Sequence, residues 1–386
     1  MVLRRLIFLF FSYLYANIIP FPMANVDTKI ESPNDEFFMR RCIQLALNAE
    51  GRTYPNPMVG AVVVCDGKIV GEGWHMKAGG PHAEVHAIGA VGDDEVLRRS
   101  TIYVSLEPCA HQGRTPPCAD LIIRKGIPNV VVGCMDSFSK VDGRGIRKLR
   151  AAGVNVVVGV LEEECRRLNR RFFTVQERKR PHVILKWAQT ADGFIGVVVD
   201  GRPAPVRISN REAHLVEHRR RTTEDGILVG AGTVRSDNPR LTPRLWSGRA
   251  PLRFVLAPRL GLPSGAALVT DGGRTVVINR VTETDFGSTR YVAREMLPGS
   301  VAADALDVVA AEGVSSLIVE GGARTLRTFI AEQLWDEAYV YISNTHLGSG
   351  VEAPQLNGQI VSTRSFGDCL LRHYVNDYKV QLPIIR

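Results

Sequence analysis

The chain has 386 residues, with 48 lysines and arginines against 40 aspartates and glutamates, and 45% of its residues are hydrophobic. Its length suggests two or three domains, and its ordinary apolar and charged fractions exclude wholesale disorder, a collagen-like repeat and a polytopic membrane protein. The net charge of +8 favours anionic partners, either phosphorylated metabolites or nucleic acid. Seven cysteines in so long a chain indicate metal binding or catalysis in a reducing, cytoplasmic compartment rather than a disulfide scaffold.

Residues 1–22 resemble a secretory signal, because two arginines precede an apolar run, Leu6–Ala16. The run is too short for a membrane-spanning helix, since Asn17 and Pro20 interrupt it. The alternative is that translation begins at Met23. We therefore expect residues 1–32 to be an N-terminal extension outside the folded domains.

Residues 33–160 alternate between helical and strand patterns. The spacing of apolar residues predicts helices over 33–49, from His82, after Cys118 and over Gly145–Ala152. Runs of β-branched residues predict strands at Val59–Cys65, Lys68–Val70, Thr101–Leu106, Val130–Gly133 and Val154–Val160. Asp66-Gly67 is a favoured hairpin turn between the first two strands. This alternation predicts a sheet covered by helices.

The stretch Cys165–Arg180 is basic, with seven arginines or lysines among sixteen residues, and predicts a solvated connecting helix and linker. A second α/β pattern follows. Its predicted strands are Val183–Trp187, Ile227–Val229, Arg253–Leu256, Thr275–Ile278 and Ser315–Val319, and its predicted helices are Glu212–Arg221, Ala302–Ala311 and Arg324–Leu334. We expect a first domain over 33–170, a linker over 171–181 and a second domain over 182–386.

His82, Glu84, Cys109 and Cys118 form the first candidate site. One histidine and two thiolates give Zn²⁺ three protein ligands and leave the fourth position for water, as in catalytic zinc sites. Zinc lowers the pKa of that water to about 7, so hydroxide is available at neutral pH, and Glu84 is placed to shuttle protons. The pattern H-x-E followed by P-C-x-x-C is typical of zinc deaminases, although here eight residues separate the two cysteines.

Four motifs carry a resemblance to a known family. They are T-Y-P-N-P-M-V-G at 53–60, G-E-G-W-H at 71–75, P-H-A-E at 81–84 and L-E-P-C-A-H-Q-G-R-T-P-P-C at 106–118. In these motifs the sequence resembles the bifunctional riboflavin-biosynthesis deaminase–reductases, a family in which the long spacing between the two cysteines is usual. The resemblance extends from about residue 36 to about residue 350.

The resemblance implies an α/β protein, with an N-terminal cytidine-deaminase-like three-layer domain followed by a dihydrofolate-reductase-like domain. The three zinc ligands and the catalytic Glu84 keep the roles given above. The resemblance also implies that Asn56 and His75 bind the pyrimidine, whereas residue type alone favours a turn-forming asparagine and a surface histidine. Relatives usually have Asp-Pro-Asn-Pro in a substrate loop where this chain has Asp136-Ser-Phe-Ser139.

The second half contains no G-x-G-x-x-G motif, so a standard dinucleotide-binding fold has no local support. Glycines instead follow predicted strands at Gly230-Ala-Gly and Glu320-Gly-Gly322, where the backbone can approach a pyrophosphate closely. Together with Asp192-Gly193, Asp237-Asn-Pro239 and Leu241-Thr-Pro-Arg244, these segments resemble the reductase domain of the same family, which uses NADPH.

The resemblance assigns residues of the second half to two ligands. Along NADPH it places Lys186, Ala188, Arg207, Thr233, Asp237 and Gly322. Against the phosphorylated substrate it places Arg221, Leu241, Arg244 and Glu320. Arginine suits a phosphate because its planar fork donates two hydrogen bonds at once, and two of the three arginines at 219–221 are expected to be solvated. Relatives tend to have Ser-x-Trp beside both ligands, where this chain has Pro205-Val-Arg207.

His214-Leu-Val-Glu-His218 matches the H-x-x-E-H pattern of inverted zinc peptidases. A five-residue match often arises by chance, and no further glutamate ligand has a recognisable context. We interpret this match as a coincidence.

We therefore predict an enzyme that deaminates 2,5-diamino-6-ribosylamino-4(3H)-pyrimidinone 5′-phosphate with zinc-bound hydroxide and then reduces the ribosyl group to ribityl with NADPH. The expected partner is this small phosphorylated pyrimidine, with no nucleic acid and no membrane, and a homo-oligomer is left open. One alternative is a nucleic-acid or nucleoside deaminase, which must seat a base and needs no reductase-like domain. The others are a deaminase with an impaired reductase domain and a zinc-stabilised binding protein with degenerate sites.

Overall fold

The computed structural model describes residues 33–110, 116–137 and 143–376. The first sheet has five strands: β1 (Gly60–Cys65), β2 (Lys68–Trp74), β3 (Thr101–Leu106), β4 (Asn129–Cys134) and β5 (Asn155–Val158). Their order is β2-β1-β3-β4-β5, with β1 antiparallel to β2 and β3, and with β3, β4 and β5 parallel. Asp66 and Gly67 have φ values of 49° and 75°, as a two-residue hairpin turn requires.

Helices cover both faces of this sheet. They are α1 (Pro33–Leu47), α2 (Ala83–Gly89), α3 (Asp94–Leu97), α4 (Cys118–Arg124), α5 (Arg144–Ala151) and α6 (Glu162–Leu168). Side chains alternate along β1, so Ala61 and Val63 pack with α2, α4 and α5, while Val62 and Val64 pack with α1 and α6. The result is the three-layer α/β architecture predicted for the first half.

The later strands form a ten-stranded sheet and a small three-stranded sheet. In chain order they are β6 (His182–Gln189), β7 (Phe194–Val199), β8 (Arg202–Ala204), β9 (Gly226–Gly230), β10 (Leu252–Leu256), β11 (Thr275–Asn279), β12 (Thr284–Phe286), β13 (Thr289–Ala293), β14 (Ser316–Val319), β15 (Glu337–Ser343), β16 (Val351–Glu352), β17 (Gln359–Phe366) and β18 (Cys369–Val375). The large sheet has the order β12-β13-β11-β10-β9-β14-β6-β15-β18-β17, and the small one has the order β16-β7-β8. The central strands, from β13 to β15, are parallel to one another.

Helices again lie on both faces. They are α7 (Arg170–Arg178), α8 (Arg211–Thr223), α9 (Ala231–Asp237), α10 (Ala267–Thr270), α11 (Val301–Ala311) and α12 (Ala323–Ala331). One face packs against α11 and α12, and the other packs against α8, α9 and α10. The neighbouring parallel strands β9, β14 and β6 end at the same edge, which is where open α/β sheets bind ligands.

The basic stretch Cys165–Arg180 is largely helical, as predicted, but it is not solvated throughout. Helices α6 and α7 occupy most of it, and Arg171 Nε donates to Glu224 Oε2 at 2.7 Å. The Glu224 side chain is fully buried and needs a cationic partner. Arg178 and Arg180 both pair with Asp336. The expectation of a solvated stretch is wrong for Arg170, Arg171 and Arg180, because buried carboxylates of the second half bind them, whereas Arg167 and Lys179 are exposed.

Two features of the sequence lie outside the described residues: the signal-like run Leu6–Ala16, and the second half of the loop expected at Asp136–Ser139. None of the helices in the described ranges is long and apolar enough to cross a membrane.

Candidate active sites

The side chains of His82, Cys109 and Cys118 meet at one point. Their ligand atoms lie within 4.8 Å of one another, and His82 Nδ1 is 3.5 Å from Cys109 Sγ and 3.3 Å from Cys118 Sγ. His82 precedes α2, Cys109 follows β3 and Cys118 begins α4, so three elements each supply one ligand. One nitrogen and two sulfurs are donors that Zn²⁺ prefers, and three protein ligands leave an open position. The residues therefore fit zinc.

Hydrogen bonds prepare Cys109 as an anionic ligand. The Cys118 thiol and then His82 lower the pKa of Cys109 well below the usual thiol range. The Cys118 backbone N–H also donates to Cys109 Sγ, at 3.3 Å. The thiolate, and not the thiol, is the form that binds a metal.

Glu84 lies in the first turn of α2, two residues after His82, and is 3% exposed. Burial, followed by the neighbouring negative Cys109, raises the pKa of Glu84 to about 7. A carboxyl group with a pKa near neutrality both accepts and donates protons efficiently at working pH. The position predicted for a proton shuttle therefore carries a group suited to that role.

Asn56 and His75 are neighbours beside the metal ligands. His75 Nδ1 lies 3.0 Å from the Pro81 carbonyl oxygen, which can only accept, so Nδ1 carries the proton and Nε2 accepts from Asn56 Nδ2 at 3.1 Å. Burial lowers the pKa of His75 and favours this neutral form. His75 is 2% exposed and its ring centroid lies 5.6 Å from that of His82. The interpretation of His75 as a surface histidine is therefore wrong.

Glu107 is a buried residue whose role the sequence reasoning missed. It accepts hydrogen bonds from the backbone N–H groups of Gly143 at 3.0 Å and Gly145 at 2.9 Å. These bonds tie the start of α5 to the segment that carries Cys109. The position of Glu107 in the E-P-C motif could have indicated this role, because a carboxylate directly after a buried strand must find hydrogen-bond donors.

In the second half, Arg221 and Glu320 form a double hydrogen bond, with Nε to Oε1 at 3.0 Å and Nη2 to Oε2 at 2.7 Å. Burial alone would raise the pKa of Glu320, but the charges of Arg221 and Lys186 outweigh it and lower the pKa to about 2. Glu320 follows β14 directly, whereas Arg221 comes from α8. The pair joins the two elements at the edge where β9, β14 and β6 end.

Four cationic side chains at this edge influence the charge state of His214. Burial and then the charges of Lys186, Arg207, Arg221 and Arg244 lower the pKa of His214. Such a concentration of positive charge attracts a phosphate group. The structure thus brings together two arginines predicted for the substrate and two cations predicted for the cofactor.

Glycines line the ends of β9 and β14. Gly230 N–H donates to the Gly321 carbonyl at 2.7 Å. A Cβ on Gly230 would overlap Thr325 Oγ1, and one on Gly322 would lie 3.3 Å from Thr233 Oγ1. The missing side chains at Gly230 and Gly322 leave room for these two threonines, whereas a Cβ on Gly232 in the first turn of α9 would meet nothing within 4 Å. Bare backbone at Gly232 permits the close approach of a pyrophosphate. These residues fit NADPH, and the structure places the predicted Thr233 and Gly322 side by side.

Three other predicted residues lie in different surroundings. Leu241 is 3% exposed and packs in the core on the face of the large sheet that α9 and α10 cover. Only its main chain is therefore left to contact a substrate. Asp237 is exposed at the end of α9, where it accepts a hydrogen bond from Ser236 at 2.6 Å. Ala188 lies next to the last residue of β6 and is half-buried.

The three arginines at the end of α8 have different surroundings. Arg219 is exposed, whereas the Arg220 guanidinium lies 3.4 Å from the ring centroid of Tyr339. Arg221 is bound to Glu320 as described. The expectation that two of the three are solvated is therefore wrong.

The two histidines of the H-x-x-E-H match make separate hydrogen bonds. His214 Nε2 lies 3.3 Å from Ser209 Oγ, and His218 Nδ1 accepts from the backbone N–H of Leu245 at 3.2 Å. The intervening Glu217 accepts from the Tyr341 hydroxyl at 2.6 Å. These contacts fix helix α8 against its neighbours.

Comparisons with known proteins cover both halves. The family model of the cytidine and deoxycytidylate deaminase zinc-binding region matches residues 32–134, and that of the RibD C-terminal domain matches residues 181–373. The riboflavin biosynthesis protein RibD of Aquifex aeolicus is 41% identical over 326 residues, which cover 83% of this chain and 90% of that protein. The RibD protein of Bacillus amyloliquefaciens is 37% identical over 330 residues, which cover 83% of this chain and 87% of that protein.

Among solved structures, a diaminohydroxyphosphoribosylaminopyrimidine deaminase/5-amino-6-(5-phosphoribosylamino)uracil reductase from Thermotoga maritima matches with a TM-score of 0.80 and 36% identity. The match covers 89% of this chain and 98% of that one. The likeness includes the zinc-binding half and the reductase half together. This chain therefore belongs to the RibD family of bifunctional riboflavin-biosynthesis enzymes, with a zinc-dependent deaminase and an NADPH-dependent reductase on one polypeptide.

Proposed function

We propose that this enzyme deaminates 2,5-diamino-6-ribosylamino-4(3H)-pyrimidinone 5′-phosphate and then reduces the ribosyl group of the product to ribityl. One observation carries the proposal: three zinc-type ligands converge beside the buried carboxyl group of Glu84. The proposed domains are 33–170 and 182–386, and most of the segment 171–181 between them is helix α7.

For the deamination, zinc held by His82, Cys109 and Cys118 supplies a water molecule that is nucleophilic at neutral pH. Glu84 accepts the proton released as the water attacks the carbon that bears the 2-amino group. It gives this proton to the neighbouring ring nitrogen, then accepts the proton of the newly formed hydroxyl group and transfers it to the amino group, which leaves as ammonia. The raised pKa of Glu84 suits a group that must be charged in one step and neutral in the next.

In this proposal Asn56 binds the pyrimidine directly, and His75 contributes to the same substrate site through Asn56. The hydrogen bond between them uses one Asn56 N–H and sets the side chain's orientation. Among the described residues, Asn56 Oδ1 remains available to accept a hydrogen bond from a ring or amino N–H. His75 acts by orienting Asn56, and its own ring is fixed by Pro81.

For the reduction, NADPH at the glycine-lined strand ends supplies the reducing equivalents for the ribosyl C1′. Arg221 has five N–H groups, of which two bind Glu320 and one donates to the Thr242 carbonyl at 3.3 Å. Within the described ranges, two N–H groups thus remain for the substrate phosphate. Arg244 and Lys186 add positive charge at the same place.

We place the enzyme in the cytoplasm. All seven cysteines are free thiols, as a reducing compartment permits. A phosphorylated substrate and NADPH account for the excess of positive charge without nucleic acid. The reductase family match over 181–373 also argues against the nucleic-acid deaminase, which needs no such domain.

The test is an assay of the purified full-length chain on the proposed substrate. We expect one ammonia released for each NADPH oxidised. Ammonia release without NADPH oxidation identifies the alternative of an impaired reductase domain. Absence of ammonia release from zinc-loaded protein would overturn the proposed function.

A further inference from the structure

Asn169, at the junction of α6 and α7, clamps the main chain of Met58. Its Oδ1 accepts from the Met58 N–H and its Nδ2 donates to the Met58 carbonyl, both at 2.8 Å. Asn169 is 3% exposed and Met58 is 9% exposed. Two buried hydrogen bonds to one residue fix both the position and the orientation of its peptide groups.

The clamp acts on the loop that carries Asn56, which runs from the end of α1 to β1. Side-chain hydrogen bonds from three residues hold the second half of this loop and the start of β1: Asn56 bonds to His75 at 3.1 Å, Met58 bonds to Asn169, and the Gly60 N–H donates to Ser105 Oγ at 3.1 Å. The Val59 carbonyl also accepts from the His75 backbone N–H at 2.9 Å. His75 and Ser105 belong to the five-stranded sheet and its edge. Asn169 alone of the three partners comes from the helical connection between the two halves.

The residues directly after Asn169 bind the reductase half. Arg171 makes two hydrogen bonds to Glu224, the first at 2.7 Å, and Arg170 pairs with Glu337. The Glu224 side chain has no exposed surface. Glu224 caps the end of α8, the helix that carries Arg221 into the reductase site. A buried pair of this kind is costly to break, since one charge is then left without a partner.

We propose that Asn169 is a positioning residue for the deamination, and that the Arg171–Glu224 pair holds it in place, so that the reductase half supports the substrate loop of the deaminase half. The inference rests on the proposed role of Asn56 in substrate binding. Asn169 acts through Met58 on Asn56.

This arrangement sets which kinetic constant changes. Loss of the clamp frees the Met58 main chain, while the Met58 side chain still packs with Ala46 and Leu168. The loop therefore keeps its course and Asn56 keeps its bond to His75, but the main chain that carries Asn56 loses its fixed position. Since the zinc ligands and Glu84 are untouched, substrate binding weakens and the chemical step does not.

The experiment uses the zinc-loaded full-length chain and measures ammonia release. We expect Asn169→Ala to raise the KM about tenfold, as the loss of buried hydrogen bonds predicts, with kcat and zinc content nearly unchanged. Glu224→Gln, in the other half of the chain, raises the same KM. If Asn169→Ala does not fold, Asn169→Ser takes its place, because a serine hydroxyl is too short to reach both Met58 groups.

Two matched controls come from exposed positions. Asn155→Ala removes an exposed asparagine from the deaminase half. Glu177→Gln neutralises an exposed residue of α7 that pairs with Arg166. Both leave the KM of deamination unchanged. An Asn56→Ala variant, measured in parallel, tests the proposed substrate role by itself.

The outcomes separate the two proposals. A raised KM in Asn56→Ala with an unchanged KM in Asn169→Ala and Glu224→Gln overturns the positioning role and leaves the function intact. Loss of zinc or of kcat in Asn169→Ala, without a change in KM, also overturns it, since it indicates a merely structural role. An unchanged KM in Asn56→Ala overturns the substrate role of Asn56.

Discussion

Gly145 packs so closely against Pro108 that a Cβ on Gly145 would overlap the Pro108 carbonyl oxygen. Pro108 directly precedes the zinc ligand Cys109, and the Gly145 N–H donates to Glu107 at 2.9 Å. The start of α5 and the strand end that carries the ligand therefore meet without an intervening side chain. The position of Cys109 depends on this contact.

Replacing Gly145 by alanine should displace this strand end. Overpacking of a close contact costs about 1–3 kcal/mol, and the displacement moves Cys109 away from its partners. We expect lower zinc content per chain and a lower Tm for Gly145→Ala, measured by metal analysis and thermal unfolding. Gly89→Ala is the control, because a Cβ there meets nothing within 4 Å. Equal zinc content in the two variants would contradict the assigned role of the contact.

Arg221→Lys should weaken the reductase without touching the deaminase. Lysine keeps the charge but loses the planar fork that binds Glu320 and leaves two N–H groups for a phosphate. We expect the KM for the deaminated intermediate to rise by about tenfold or more, with ammonia release unchanged. The matched control is Arg219→Lys on the same helix, where the side chain is exposed. Equal effects of the two substitutions on the reductase KM would refute the assignment.

The Arg221–Glu320 pair also predicts a pH dependence of stability. The folded-state pKa of Glu320 is lowered to about 2 from an ordinary 4.5, so its contribution is complete above about pH 5 and is lost as pH falls toward 2. The difference in unfolding free energy between the wild type and Glu320→Gln should shrink by at most about 1.4 kcal/mol per pH unit in this range. Urea unfolding at pH 7, 5, 4 and 3 measures it. A difference that stays constant over these pH values would contradict the prediction.

Chelation of zinc should separate the two activities. The three metal ligands lie in the first half, while the cations around His214 lie in the second. We expect a chelator to abolish ammonia release and to leave NADPH oxidation on the deaminated intermediate in place. Metal analysis of His82→Ala should show loss of zinc, whereas His214→Ala should retain about one zinc per chain. Loss of zinc in His214→Ala would restore the H-x-x-E-H match as a metal site.

Sequence patterns predicted most of the regular elements, because apolar periodicity and turn residues are local properties. The strand Thr101–Leu106 has its predicted bounds, and the helix predicted over 33–49 ends at Leu47. The strands β15 and β16 were not predicted, since they pair with the distant strands β6 and β7. The hairpins β7–β8, β12–β13 and β17–β18 are local but were also missed, because β8, β12 and most of β17 are exposed and lack an apolar pattern. The turn Asp200-Gly201 between β7 and β8 was an available signal.

The zinc site was predictable because its residue types have few other uses in that combination. The hydrogen-bond partners of Asn169, Glu107 and Arg171 were not predictable, since each of these side chains binds a group far away in the sequence. Composition alone made the arginines after Cys165 resemble a solvated stretch. What changes this interpretation is the buried Glu224, whose position the local sequence does not reveal.

The most direct test of the account is the Glu84→Gln variant of the full-length chain. Glutamine has nearly the same shape as glutamate but cannot shuttle protons, and it leaves the three zinc ligands in place. We predict that zinc content stays at one per chain, that ammonia release is abolished, and that NADPH oxidation on the deaminated intermediate is unchanged. Ammonia release at the wild-type rate from this variant would contradict the proposed mechanism.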